Sequence, residues 1–147
     1  MYRIVLTLPM LALTAMPALA DTAENLDQWF RDGYAALYVE KPWERADEFA
    51  QYMADRIEFR SDDGLMVLDV NSFVVDPLEE WRAEGWLGTD VAGLQTKMLN
   101  ETTVLFNVAW LDRYVDGSTE LSCGWYVGDK VDGKWLLSQY ISITCTK

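Results

Sequence analysis

The sequence predicts an α+β domain, with helices first and a mostly antiparallel sheet after them. Three observations carry that prediction. Apolar residues recur at helical spacing between Thr22 and Met53. Asp55–Ser61 alternates Ile57 and Phe59 with Glu58 and Arg60, then stops at the turn signal Asp62-Asp63-Gly64. From Thr102 to Lys147, three alternating runs separated by Asp116-Gly117 and Asp132-Gly133 read as an antiparallel meander.

In chain order, Leu26, Trp29, Phe30, Gly33 and Leu37 mark one face of a first helix over Thr22–Val39. Pro42 suits a helix start, and Ala46, Phe49, Ala50 and Met53 mark one face of a second helix. Leu65–Val70 returns antiparallel to Asp55–Ser61. Asp76-Pro77-Leu78-Glu79 has the order of a capped helix start: an acceptor for free N–H groups, a proline at the first helical position, then a glutamate that reaches back. Gly85 ends that short third helix, and Leu87–Asn100 forms a polar strand leading into the meander.

Ahead of the domain, Arg3 is followed by the apolar run Ile4–Met16 and by Pro17-Ala18-Leu19-Ala20. This pattern predicts a signal peptide over residues 1–20, cut before Asp21, too short to be a stable membrane span. The expected product is a single domain over residues 21–147, periplasmic or secreted. Removal of Arg3 leaves eleven basic against twenty-four acidic residues, so nucleic acid and anionic membrane surfaces are disfavoured partners. There is no histidine, which excludes Ser-His and Cys-His catalysis and removes the commonest transition-metal ligand. No metal cluster or cofactor motif is recognisable, and none is expected.

The two Asp-Gly turns set an expected register. A two-residue turn at Asp116-Gly117 pairs Trp110 with Cys123, and a three-residue turn at Val131-Asp132-Gly133 pairs Cys123 with Ile141. Alternation then turns Val104, Phe106, Val108, Trp110, Asp112, Leu121, Cys123, Trp125, Val127, Trp135, Leu137, Gln139 and Ile141 inward. Asp112, Cys123 and Gln139 are polar positions on that apolar face, which points to a pocket because buried polar groups must be paired or face solvent. The plainer alternative is that the cysteine packs as a small hydrophobe while Gln139 and Asp112 find backbone or water. The other face, mixed but rich in Leu and Tyr, is expected to be a partner surface. The same register sets Cys145 four residues past the partner of Cys123, roughly 13 Å away and beyond disulfide reach. A bulge or a folded-back tail would restore the bond.

The helix around Trp29-Phe30 to Tyr38, the passage Phe49-Ala50-Gln51-Tyr52-Met53-Ala54-Asp55 into a strand, and the ending Tyr126-Val127 to Asp132-Gly133-Lys134-Trp135-Leu136-Leu137 resemble the nuclear transport factor 2-like superfamily. That superfamily includes ketosteroid isomerase, limonene epoxide hydrolase and the small polyketide cyclases. The resemblance spans residues 21–147 and implies a cone: a curved, mostly antiparallel sheet with the N-terminal helices on its concave face, in an exported bacterial member. It carries no reaction. Tyr34 falls where the isomerase's helix-borne tyrosine would, but the base position holds Arg60 or Ser61 and the second acid falls on Ser122 or Cys123. Asp112, Arg60 and Asp69 supply the residue types of the epoxide hydrolase network, with no sign that they converge. Family pockets open between the short third helix and the sheet, which makes Trp81, Trp86 and Trp110 ligand candidates.

The expected function is therefore binding of a small hydrophobic molecule in an apolar pocket lined by Tyr34, Arg60, Trp81, Trp110, Asp112, Cys123 and Gln139, in a homodimer formed through the outer sheet face. One alternative is a lyase, isomerase or hydrolase using Asp112 as general base, with Tyr34 or Arg60 steadying negative charge. The other is a structural or interaction module of an envelope complex.

Overall fold

Thr22 opens the first helix by accepting a hydrogen bond from the Asn25 N–H (3.2 Å), one of the donors that a helix start leaves free. In the computed structural model, which describes residues 20–146, helix α1 (Ala23–Gln28) runs on through a π-helical turn (Trp29–Tyr34) and a 3-10 turn (Ala35–Tyr38). The expected signal peptide lies outside the described residues except for Ala20. Leu26, Phe30, Tyr34, Leu37 and Tyr38 are all buried along this helical run. The expected second helix is a 3-10 stretch (Pro42–Tyr52) broken at Arg45, whose guanidinium bonds to Glu48 and to the Ala36 carbonyl. Met53, expected on that helix, begins the first strand instead.

Six strands follow: β1 (Met53–Ser61), β2 (Gly64–Leu68), β3 (Trp86–Asn100), β4 (Thr103–Tyr114), β5 (Thr119–Val131) and β6 (Lys134–Ile143). They form one sheet in the order β2-β1-β6-β5-β4-β3, antiparallel throughout except that β1 and β6 run parallel. Between β2 and β3 lies a π-helical turn (Asn71–Val75) continuing into α2 (Asp76–Ala83). Asp76 is not the cap. Asp69 accepts from the Ser72 N–H at 2.8 Å at the true start of this helical run, and that bond holds its carboxyl below the usual range. The core fills the gap between the first helix and the concave sheet face, where Phe30 meets Phe106 (ring centroids 4.6 Å apart) and Val104, Val108, Tyr126 and Leu137 are buried around them.

The two Asp-Gly turns exchange the lengths that were expected of them. At the first, Tyr114 and Ser118 close a three-residue loop, Val115-Asp116-Gly117, with Gly117 left-handed (φ +83°) and the Asp116 carboxylate accepting from the Ser118 N–H. At the second, Val131 pairs directly with Lys134, so Asp132-Gly133 is a two-residue turn with both residues left-handed (φ +49° and +78°). Each change shifts the register by one residue, and a one-residue shift turns a strand over. Trp110 therefore pairs with Ser122, and Ala109 with Cys123. A further irregularity beside Val127 and Gly128 advances the far half of β6, so that Val127 pairs with Gln139 and Cys123 with Ile143.

The inward residues of β5 are thus Ser122, Gly124, Tyr126 and Gly128, while Leu121, Cys123, Trp125 and Val127 face outward. On β6, Trp135 and Leu137 remain inward as expected, but Gln139 and Ile141 turn outward and Tyr140 inward. The expected register had separated the cysteines. The observed one brings Cys145 within two residues of Cys123's partner, with the two Cα atoms 5.2 Å apart, and they form a disulfide on the outer face.

Candidate functional site

The first helix covers only part of the concave face. Beyond Tyr38 the sheet runs on uncovered until α2 crosses it, leaving a cavity of about 520 Å³. That lies within the size range of small-molecule sites. Trp81 and Pro77 of α2, Trp86 and Thr89 of β3, Trp110 and Asp112 of β4, Ser122 and Tyr126 of β5, and Tyr140 of β6 all contribute to its wall.

Asp112 is the polar centre of this wall. Its Oδ1 accepts from the Trp86 indole Nε1–H at 3.1 Å and from the Thr89 hydroxyl, and its Oδ2 accepts from the Ser122 hydroxyl at 3.3 Å. The direction of the network follows from chemistry: indole can only donate, so Thr89 accepts from Trp86 (3.2 Å) and passes its own proton toward the carboxylate. Oδ1 is saturated by two donors. Oδ2 carries one long bond and retains an accepting lone pair.

Tyrosines form the floor. The Tyr34 and Tyr38 hydroxyls lie 2.9 Å apart, and Tyr34 donates to the Tyr126 hydroxyl at 3.4 Å. Burial pushes the Tyr34, Tyr38 and Tyr126 phenols well above their ordinary range. Burial also raises Tyr140, assisted by the negative charge of Asp112. All four stay protonated in physiological conditions. Gly124 makes room for this arrangement, since a Cβ there would collide with the Tyr140 ring.

Of the residues expected to line a pocket, the structure brings Trp81, Trp110 and Asp112 together in the cavity wall. Tyr34 sits one layer behind, fully buried, meeting the site through the hydroxyls and ring edges of Tyr38 and Tyr126. Arg60 lies on the outward side of β1, half exposed and paired with Glu58 at 3.7 Å, because inward positions on that strand fall to Ile57 and Phe59. Cys123 and Gln139 are outward because of the register shifts described above. Asp69 caps a helix, so the Asp112–Arg60–Asp69 network does not assemble. The residues missed were Tyr38, Tyr126, Tyr140, Thr89 and Ser122. Tyr38, one helical turn after Tyr34, was open to discovery from spacing alone. The strand residues depended on the register.

No protein-family model matches the sequence, and no curated protein matches it. Solved structures do match. One is a nuclear transport factor 2-like protein from Anabaena variabilis, with a TM-score of 0.60 at 14% identity, covering 90% of this chain and 96% of that one. A candidate scytalone dehydratase from Novosphingobium aromaticivorans gives 0.59 at 18% identity over 82% of each chain. A candidate polyketide cyclase from Xanthomonas campestris gives 0.56 at 13%, covering 84% and 90%. The chain is an α+β protein with a curved sheet wrapped on helices. Its fold is the nuclear transport factor 2-like cone.

Proposed function

We propose that this chain is an exported domain that binds a small, largely apolar molecule in the cavity between α2 and the sheet. The observation that carries the reading is a site of about 520 Å³ with indole and phenol walls and a single well-supported carboxylate whose Oδ2 keeps a free lone pair. Apolar walls supply affinity, and the few converging polar groups orient the ligand. A purely structural module calls for a filled cone, and the open space tells against it. The disulfide fits an oxidising compartment and supports export to the periplasm or beyond. The exposed apolar residues Leu121 and Trp125 on the outer face support a homodimer through that face. Native mass spectrometry of the exported protein tests the reading, with an expected small-molecule adduct on the folded species. A bare protein whose tryptophan fluorescence no apolar compound perturbs sinks it.

A second reading has one observation in its favour: the free lone pair on Asp112 Oδ2 shares a wall with the protonated phenols of Tyr38, Tyr126 and Tyr140, groups able to hydrogen-bond a developing oxyanion. That pairing of a base with donors suits a lyase or isomerase, and two structural neighbours carry dehydratase and cyclase names. Arg60 and Tyr34 drop out of the scheme as direct participants. Turnover of an enolisable or hydrated substrate that disappears in Asp112→Asn separates this reading from simple binding.

A further inference from the structure

The cavity's charge is one-sided. Asp112 and Glu120 are directly opposite each other on β4 and β5, on the inward face, and both line the cavity. Like charges in that relation destabilise a sheet, and no ion pair relieves this one: among the described residues neither carboxylate meets Lys or Arg. Glu120 receives only the Tyr114 hydroxyl at 3.4 Å. No Lys or Arg is among the described residues that line the cavity. Arg113, beside Asp112 in sequence, points to the other face and is engaged by Asp90 at 2.7 Å and by the Val39 carbonyl.

Aromatic faces surround the same space. Trp81 meets Trp86 edge-on at 5.3 Å, Tyr38 lies 5.6 Å from Trp110, and Tyr38 meets Trp86 at 6.5 Å. The Trp86 N–H donates to Asp112, which enriches the ring in electron density. Indole is the best of the side-chain π-faces for a cation. The chain's formal net charge of −12 draws cations to such a mouth and repels anions.

We propose that the ligand is an organic monocation, a quaternary ammonium or protonated amine with an apolar body, its charge set against Asp112 and Glu120 and its alkyl groups against Trp81, Trp86 and Trp110. This names the ligand class of the binding reading above and depends on it. An anion would meet two unpaired carboxylates. A neutral molecule would leave their repulsion standing, whereas a cation between them removes it.

The test titrates the full folded protein with benzyltrimethylammonium, with neopentylbenzene, its uncharged carbon isostere, and with phenylacetate, following tryptophan fluorescence and calorimetric heat. The expected result is that the ammonium binds at least about tenfold more tightly than the isostere, that phenylacetate does not bind, and that Asp112→Asn reduces the ratio of ammonium to isostere affinity to a few-fold. Glu120→Gln, at an exposed site where folding is not at stake, is expected to lower ammonium affinity about threefold. Equal binding of the ammonium and its isostere, or an unchanged preference in both variants, overturns the cation inference and leaves the apolar pocket standing. Failure of all three probes overturns both.

Discussion

The two faces of β5 differ in the opposite sense from what hydrophobicity alone suggests. Its inward side carries Ser122, Gly124, Tyr126 and Gly128, and its outward side carries Leu121, Cys123, Trp125 and Val127. The greasier set faces away from the core, with Leu121 51% and Trp125 39% exposed. The reason is space. On the concave side, bulk comes from elsewhere: Phe30 and Tyr34 from the helix, Tyr140 from β6, and Val104 and Phe106 from β4 pressing over Gly128. A strand beneath those rings must be small where they cross it. On the convex side, among the described residues, the C-terminal tail reaches β5 through the Cys123–Cys145 disulfide while Leu121 and Trp125 stay exposed.

The largest expected effect comes from the outward face. The Cys123–Cys145 bond closes a loop across 22 positions and ties the tail to β5. Constraint of the unfolded chain by a loop of that size contributes about 3 kcal/mol, and reduction or a Cys145→Ser change is expected to lower the urea midpoint accordingly and Tm by about 10 °C. The opposite register for β5 makes a contrary prediction: Cys123 and Cys145 too far apart to join, two free thiols in the unreduced denatured protein, and no response to reductant. Thiol counting before denaturant titration distinguishes the two outcomes.

Next in size is a pair of glycines. Gly124→Ala places a methyl group against the Tyr140 ring, and neither the ring, stacked on Phe59 at 5.6 Å, nor the strand can yield freely. About 2 kcal/mol of destabilisation is expected, together with a changed tryptophan signal from a reshaped cavity. Gly93→Ala is the outward control. Its new Cβ meets only the Ala109 Cβ at 3.7 Å, ordinary contact, so this variant is expected to be neutral or to stabilise by up to about 1 kcal/mol. Similar losses at both positions would erase the distinction between the faces.

How much of this was legible in the residues follows from what is local. Each strand, each turn dipeptide and the third helix announced itself through spacing, and the inward phase of β4 was correct from Val104 to Asp112 because that strand alternates plainly. The turn dipeptides did not announce their lengths. Asp116-Gly117 becomes a three-residue loop because the Asp116 carboxylate also binds Ser118, and Asp132-Gly133 a two-residue loop because both its residues tolerate left-handed φ. Those properties hang on neighbours that a two-letter signal does not include. Once β5 was turned over, Cys123 went outward with it, and the irregularity beside Val127 and Gly128 turned Gln139 outward on β6, while Trp81, Trp110 and Asp112, placed without reference to β5, stayed in the cavity wall. The parallel pairing of β1 with β6 joins segments about eighty positions apart and has no local signature.

The smallest expected effect on stability is the most informative about the outer face. Leu121 is half exposed and pairs across the strands with Leu111, so Leu121→Lys changes folding free energy by no more than about 0.5 kcal/mol. If the convex face meets a second copy around a two-fold axis, the substitution brings two lysines into an apolar interface at once, because a symmetric contact repeats every change. Burial of unpaired charge there costs far more than the monomer loses. The variant is therefore expected to sediment as a folded monomer under conditions in which the parent is a dimer. A monomeric parent, or a variant that still dimerises, would mean that the apolar residues of β5 are turned outward by the crowding of the concave face alone, with no partner waiting for them.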